Sequence, residues 1–121
     1  MNALLFPGQG SQLVGMGHEF YNKFEIVKNI FSQADKKLKF SLSKIILEGP
    51  ENKLNLTENT QPAIFLTSYS IFKIAQEEYG LDFNKAKFIA GHSLGEYSAL
   101  CCFGAISFED TLNTLKKSCL L

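Results

Sequence analysis

Lys87-Phe88-Ile89-Ala90-Gly91-His92-Ser93-Leu94-Gly95-Glu96-Tyr97-Ser98-Ala99-Leu100 is the stretch that decides the fold. Its first four residues read as a short buried strand, and Glu96 to Cys102 reads as the start of a helix. Between them Gly91-His92-Ser93-Leu94-Gly95 puts a serine on the bend, with a glycine on either side. A strand–turn–helix with Ser at the bend is the setting in which G-x-S-x-G acts as a nucleophile elbow. Small residues at 91 and 95 let strand and helix come close, and the sharp turn lifts the hydroxyl clear of its surroundings. Ser93 is therefore the candidate nucleophile. Without that setting the same five residues would be a Gly-rich turn.

Working outward, Asn2 to Phe6 is a second continuously apolar run, as strands buried in a parallel sheet tend to be. It ends in Pro7-Gly8-Gln9-Gly10-Ser11-Gln12, a loop with two glycines and no bulky side chain. From Phe24, apolar residues recur at Val27, Ile30, Phe31, Ala34 and Leu38, the spacing of one buried helix face, with Lys23, Lys28, Lys36 and Lys37 largely opposite. Leu42 to Leu47 predicts a shorter helix capped by Ser41 and stopped at Gly49-Pro50. Glu51 to Thr60 is polar and reads as a loop. Pro62 then fits the first turn of a helix capped by Asn59 or Thr60 and running to about Tyr79, with Gly80 as terminator. That helix is apolar nearly all round, from Ala63 to Ala75, which places it in the interior. Ser107 and Asp110 make a capping-box-like start for a last helix.

The last helix has no stop signal. Thr111, Leu112, Leu115, Leu120 and Leu121 still supply an apolar face at the final residue. Two strands do not make an independently stable sheet. Strong helices with so little sheet predict the truncated first part of a larger α/β domain, in preference to a small helical protein.

The bulk numbers exclude several classes. The chain has 121 residues, 45% hydrophobic and 20% charged, with a formal net charge of zero. That balance offers no nucleic-acid footprint and no membrane-seeking basic face. Every one of the twelve basic residues is Lys. Three cysteines, Cys101, Cys102 and Cys119, make a poor disulfide framework and fit a reducing compartment. No His or Cys pair has zinc spacing, so no metal is expected. The apolar start is cut off by Pro7-Gly8, too short for a signal-peptide core, and no run approaches membrane-spanning length. The expected location is the cytoplasm, or an organelle matrix if a targeting segment was removed.

A serine hydroxyl is a poor nucleophile until a base takes its proton. His92 adjoins Ser93, and neighbours leaving a strand point to opposite sides, so it suits shaping the elbow better than serving as base. His18 opens a predicted helix and suits a surface or capping role. Oxyanion stabilisation is better supplied. The Leu94 N–H follows the nucleophile at a helix N-terminus, where the dipole favours negative charge. A second donor normally comes from a loop after another strand of the sheet, and Gly8-Gln9-Gly10 fits that place. The same loop also reads as a plain strand-to-helix turn. Gln61 is either a polar site residue or a helix-start residue.

Three separated segments, Phe6 to Gln12, Thr60-Gln61-Pro62-Ala63, and Gly91 to Leu100, together resemble the malonyl-CoA:acyl carrier protein transacylase family in order and spacing. The likeness runs from about residue 2 to about residue 115 and covers only the N-terminal part of a typical member. The resemblance implies an incomplete α/β-hydrolase-like acyltransferase core, parallel strands with flanking helices, from which the family's later ferredoxin-like subdomain is absent. It implies a ping-pong reaction of fatty acid biosynthesis. Serine takes malonyl from the coenzyme A thioester, then passes it to the phosphopantetheine thiol of acyl carrier protein. On that reading Ser93 is the nucleophile, and Gln9 and Leu94 give the oxyanion N–H groups. His92 matches the residue before the nucleophile, and the base lies in C-terminal sequence beyond this chain. Malonyl-CoA and acyl carrier protein are the implied partners, with no cofactor beyond the thioester substrate itself. A separate chain supplying the C-terminal part is a further candidate partner.

One departure stands out. The resemblance implies an Arg in the helix after the elbow that holds the malonyl carboxylate, a planar fork that Lys does not reproduce. Counted without gaps from Ser93, that position is Ser118, and neighbouring Lys117 leaves the helix about 100° away. Two other readings therefore remain: a serine hydrolase or thioesterase using the same elbow, and a truncated, non-catalytic fragment.

Overall fold

The two apolar runs pair. In a computed structural model, which describes residues 3–82, 88–91 and 94–118, β1 (Ala3–Phe6) and β2 (Phe88–Gly91) lie parallel. The register sets Ala3 against Phe88 and Phe6 against Gly91. Between the strands run α1 (His18–Lys23), α2 (Glu25–Leu38), α3 (Leu42–Glu48), α4 (Glu51–Leu54) and α5 (Thr57–Glu77). After β2 come α6 (Leu94–Cys102) and α7 (Phe108–Ser118).

The interior is built around α5, as its apolar circumference predicts. Ala63, Ile64, Phe65 and Leu66 are buried against Val27, Ile30, Phe31 and Ala34 of α2 and Leu112 and Leu115 of α7. Each fully buried Leu, Ile or Phe contributes roughly 1.5–3 kcal/mol of transfer free energy. A second, smaller cluster joins sheet to helices: Phe6 and Phe72 at its centre, with Leu4, Ala75, Ala99, Cys102 and Phe103 around them. Gly80 ends α5 as expected, at φ 65°, with the Leu81 N–H donating back to the Ala75 carbonyl at 3.0 Å. Ser107 caps α7, its hydroxyl accepting the Asp110 N–H at 3.1 Å.

Three expectations need correction. Glu51 to Thr60 is not a loop: it holds α4 and the first turn of α5, so Pro62 sits past that first turn and Asn59 and Thr60 lie inside the helix. Their side chains close the α4–α5 corner instead. Asn59 Nδ2 donates to the Lys53 carbonyl at 2.9 Å, and the Thr60 hydroxyl lies against the carbonyls of Leu54 and Leu56. Ser41 does not cap α3 through its side chain. Asp35 reaches over from α2 and accepts both the Ser43 N–H at 3.0 Å and the Ser43 hydroxyl at 2.5 Å, a charged acceptor displacing a neutral one. Finally, the strands are not buried on both faces. Paired residues of a parallel register share a side, so Leu5 and Ala90 lie on one face and Leu4 and Ile89 on the other. Leu5 is 74% exposed and Ala90 is exposed with it, and Ile89, on the side of α6, is still 44% exposed.

Candidate active site

Strand register and two glycines bring the first and last of the three motif segments together. Because Phe6 pairs with Gly91, the loop holding Gln9 leaves the sheet beside the point where the chain turns into α6. Gly95, in the first turn of α6, sits directly on the end of β1. A Cβ there would press into the Phe6 carbonyl oxygen, 2.9 Å from its carbon and 3.1 Å from the Pro7 oxygen. A Cβ on Gly91 would collide with the backbone of Gly95 and Glu96. Both positions need the missing side chain, because backbone meets backbone there.

Leu94, the first residue of α6, is buried at 3% exposure. Its N–H belongs to the unsatisfied first turn of a helix, where negative charge is favoured. His92 and Ser93 lie outside the described residues. So do the side chains of Lys117 and Ser118. Gln9 is exposed in the loop after β1, and Gln61 is half-buried one turn into α5, beside buried Pro62. His18 is exposed at the start of α1, with its Nε2 3.0 Å from Asn22 Nδ2, in keeping with a surface role. It is the one histidine among the described residues.

The loop after β1 is held by its own side chains. The Ser11 hydroxyl donates to the Gly8 carbonyl at 2.7 Å, and the Ser11 N–H approaches the same oxygen at 3.3 Å. The Gly10 N–H donates to Gln12 Oε1 at 2.8 Å, and Gln12 Nε2 donates to Asn55 Oδ1 at 3.0 Å. Gly10 adopts φ 106°, a left-handed conformation that favours glycine. Neither Gln12 nor Asn55 carries a sequence signal for this pairing. A single amide pair this far apart in sequence has no local periodicity that would reveal it.

Behind the site, burial governs the ionisable groups. It pushes the Cys102 thiol up to about 12, with neighbouring Cys101 adding to the effect. Burial also raises the Cys101 thiol, and raises the Tyr69 phenol to about 12. Both shifts favour the protonated thiol over the thiolate, which is the nucleophilic form. Among the described residues no group of three or more His, Cys, Asp or Glu side chains is placed to hold a metal ion. No helix among them is long and apolar enough to cross a membrane.

The sequence pattern of the acyl transferase domain matches residues 3–117. The chain belongs to the acyl transferase domain family. A malonyl CoA-acyl carrier protein transacylase of Bacillus subtilis (strain 168) is 47% identical over 115 residues, 95% of this chain and 35% of that protein. An acyl-carrier-protein S-malonyltransferase from Bartonella henselae superposes with a TM-score of 0.92 at 45% identity, covering 99% of this chain and 38% of the other. A malonyl-transacylase solved in complex with its type II PKS acyl-carrier protein gives 0.91 at 39% identity, over 98% of this chain and 37% of the other. The α/β acyltransferase fold follows from these superpositions. This acyl transferase chain spans 35–38% of the length of these three relatives.

Proposed function

We propose that the chain carries the nucleophile and oxyanion-binding half of an acyl carrier protein S-malonyltransferase of fatty acid biosynthesis, on an α/β-hydrolase-like core. The observation that supports it most is the seating of Gly95 on the Phe6 carbonyl, which sets the Gln9 loop beside the N-terminus of α6. In this reading the Ser93 hydroxyl attacks the thioester carbonyl of malonyl-CoA while its proton passes to a base. The N–H groups of Gln9 and Leu94 receive the oxyanion. Collapse of the tetrahedral species expels the coenzyme A thiol, which takes up the proton and leaves malonyl esterified to Ser93. The phosphopantetheine thiol of acyl carrier protein then attacks that ester and restores the serine. His92 supports the elbow and Gln61 lines the site. The base comes from sequence outside these residues, supplied by a longer or a separate chain. No cofactor or metal takes part, and the reaction belongs in the cytoplasm.

The test is intact-mass analysis of this chain supplied with the C-terminal sequence that carries the base, after incubation with malonyl-CoA, with and without holo acyl carrier protein. Gain of one malonyl group, absent in Ser93→Ala and discharged onto carrier protein faster than to water, supports transfer. Discharge mainly to water would make the chain a thioesterase. No gain at all would make it a non-catalytic fragment.

A further inference from the structure

The loop after β1 holds more hydrogen bonds than a strand-to-helix turn requires, and each acts on the peptide groups around Gln9. Across a planar trans peptide, the Gly8 carbonyl and the Gln9 N–H belong to one rigid unit and point in opposite directions. Ser11 holds that carbonyl with its hydroxyl at 2.7 Å and its N–H at 3.3 Å. The Gln9 N–H is thereby turned outward, away from the inside of the loop. The next amide, that of Gly10, is taken up by Gln12 Oε1 at 2.8 Å. The other end of the Gln12 amide is anchored on Asn55 Oδ1 at 3.0 Å, in a different part of the fold. Asn55 sits in the α4–α5 corner, which is itself closed by the side chains of Asn59 and Thr60.

We infer that Ser11, Gln12 and Asn55 are positioning residues that aim the Gln9 N–H at the developing oxyanion and fix its distance from the elbow. The inference rests on the proposed function, since it assigns Gln9 the role of oxyanion donor. The chain of contact runs from a closed helix corner through one amide pair to the peptide that donates. The bonds of the three side chains run to the loop backbone and to one another. The device therefore changes how fast the ester forms rather than how tightly substrate binds, because a donor already in place costs no reorganisation at the moment of reaction.

The test compares Ser11→Ala with Ser11→Thr, and Asn55→Leu with Asn55→Asp, by the rate of malonyl-CoA acylation of Ser93 and its dependence on substrate concentration. Threonine keeps the hydroxyl and aspartate keeps the acceptor for Gln12. The Ala and Leu variants are expected to lose about tenfold in maximal acylation rate at unchanged half-saturation, less than the loss of an entire donor. The Thr and Asp variants are expected to recover it. Asn55→Leu is further expected to have little added effect in a Gln12→Leu background, and hydrogen exchange at the Gly10 amide is expected to rise in both. Equal acylation rates in all variants, unchanged Gly10 exchange, or loss without recovery by Thr and Asp would overturn the clamp while leaving the transferase reading intact. Wild-type chain that takes no malonyl group even when the base-bearing C-terminal sequence is supplied overturns both.

Discussion

Gly95 shows how much one absent methyl decides. With Phe6 backbone atoms already inside contact distance of where a Cβ would stand, Gly95→Ala has to push α6 off the end of β1. Overpacking of this kind costs about 1–3 kcal/mol, and rigid backbone on the other side favours the upper end. Urea unfolding should show a midpoint lowered accordingly; an unchanged midpoint would mean that helix and strand stand further apart. The ionisable groups behind the site give a second expectation. Cys102, raised from 9.0 to about 12, and Tyr69, raised from 10.0 to about 12, bind their protons more tightly folded than unfolded. Their contribution to stability is therefore complete below about pH 9 and is lost as pH rises toward 12. Unfolding free energy followed from pH 8 to 12 should fall across that window. Cys102 should resist alkylation at pH 8 until the protein is denatured.

At the scale of elements, the helix starts rest on different side chains from those the pattern names. Asp35→Ala removes the acceptor for both Ser43 groups and should cost about 1–2 kcal/mol, where Ser41→Ala should cost little. Ser107→Ala should cost about 1 kcal/mol through the lost cap of α7. Denaturant midpoints of the three variants, set side by side, check the ranking. The contrast also shows what was legible in advance. Apolar spacing made α2 legible, because burying one face is a periodic demand, while both strands and α5 were legible from runs apolar throughout and α3 from its stop at Gly49-Pro50. Ser107 was readable because its partner lies three residues away. Asp35, Asn55 and Asn59 were not, since each satisfies a backbone or side-chain group that only the folded path brings near. The α4–α5 corner was misread for the same reason: polar residues there look solvent-bound, yet Thr60 is fully buried against the carbonyls of Leu54 and Leu56. Of the candidate site, the segments that meet were legible from their residues, and the bonds that hold the Gln9 loop were not.

For the whole molecule, stability is unevenly spread. The core around α5 holds large, fully buried side chains such as Phe31, Phe65, Leu66 and Leu112, while the sheet has two short strands with Leu5 and Ile89 exposed. Hydrogen exchange should accordingly be slowest in α2 and α5 and fastest in β1 and β2. Uniform protection across the chain would contradict that division. The exposed side chains, together with the apolar hollow formed by Ile89, Ala90, Ala99, Leu100 and Phe103, should bind a hydrophobic dye. A Leu5→Thr, Ile89→Thr double variant should bind it less, with little change in far-ultraviolet circular dichroism.

Pairing Ala3 with Phe88 has a bearing on biosynthesis. The opening strand leaves the ribosome long before its mate has been translated. Through that interval five helices can condense, while the earliest segment waits with an unmatched edge exposed to the cell. Slowing of translation ahead of residue 88, or loss of a chaperone that shelters nascent chains, should thus harm the yield of assembled sheet more than the yield of helix.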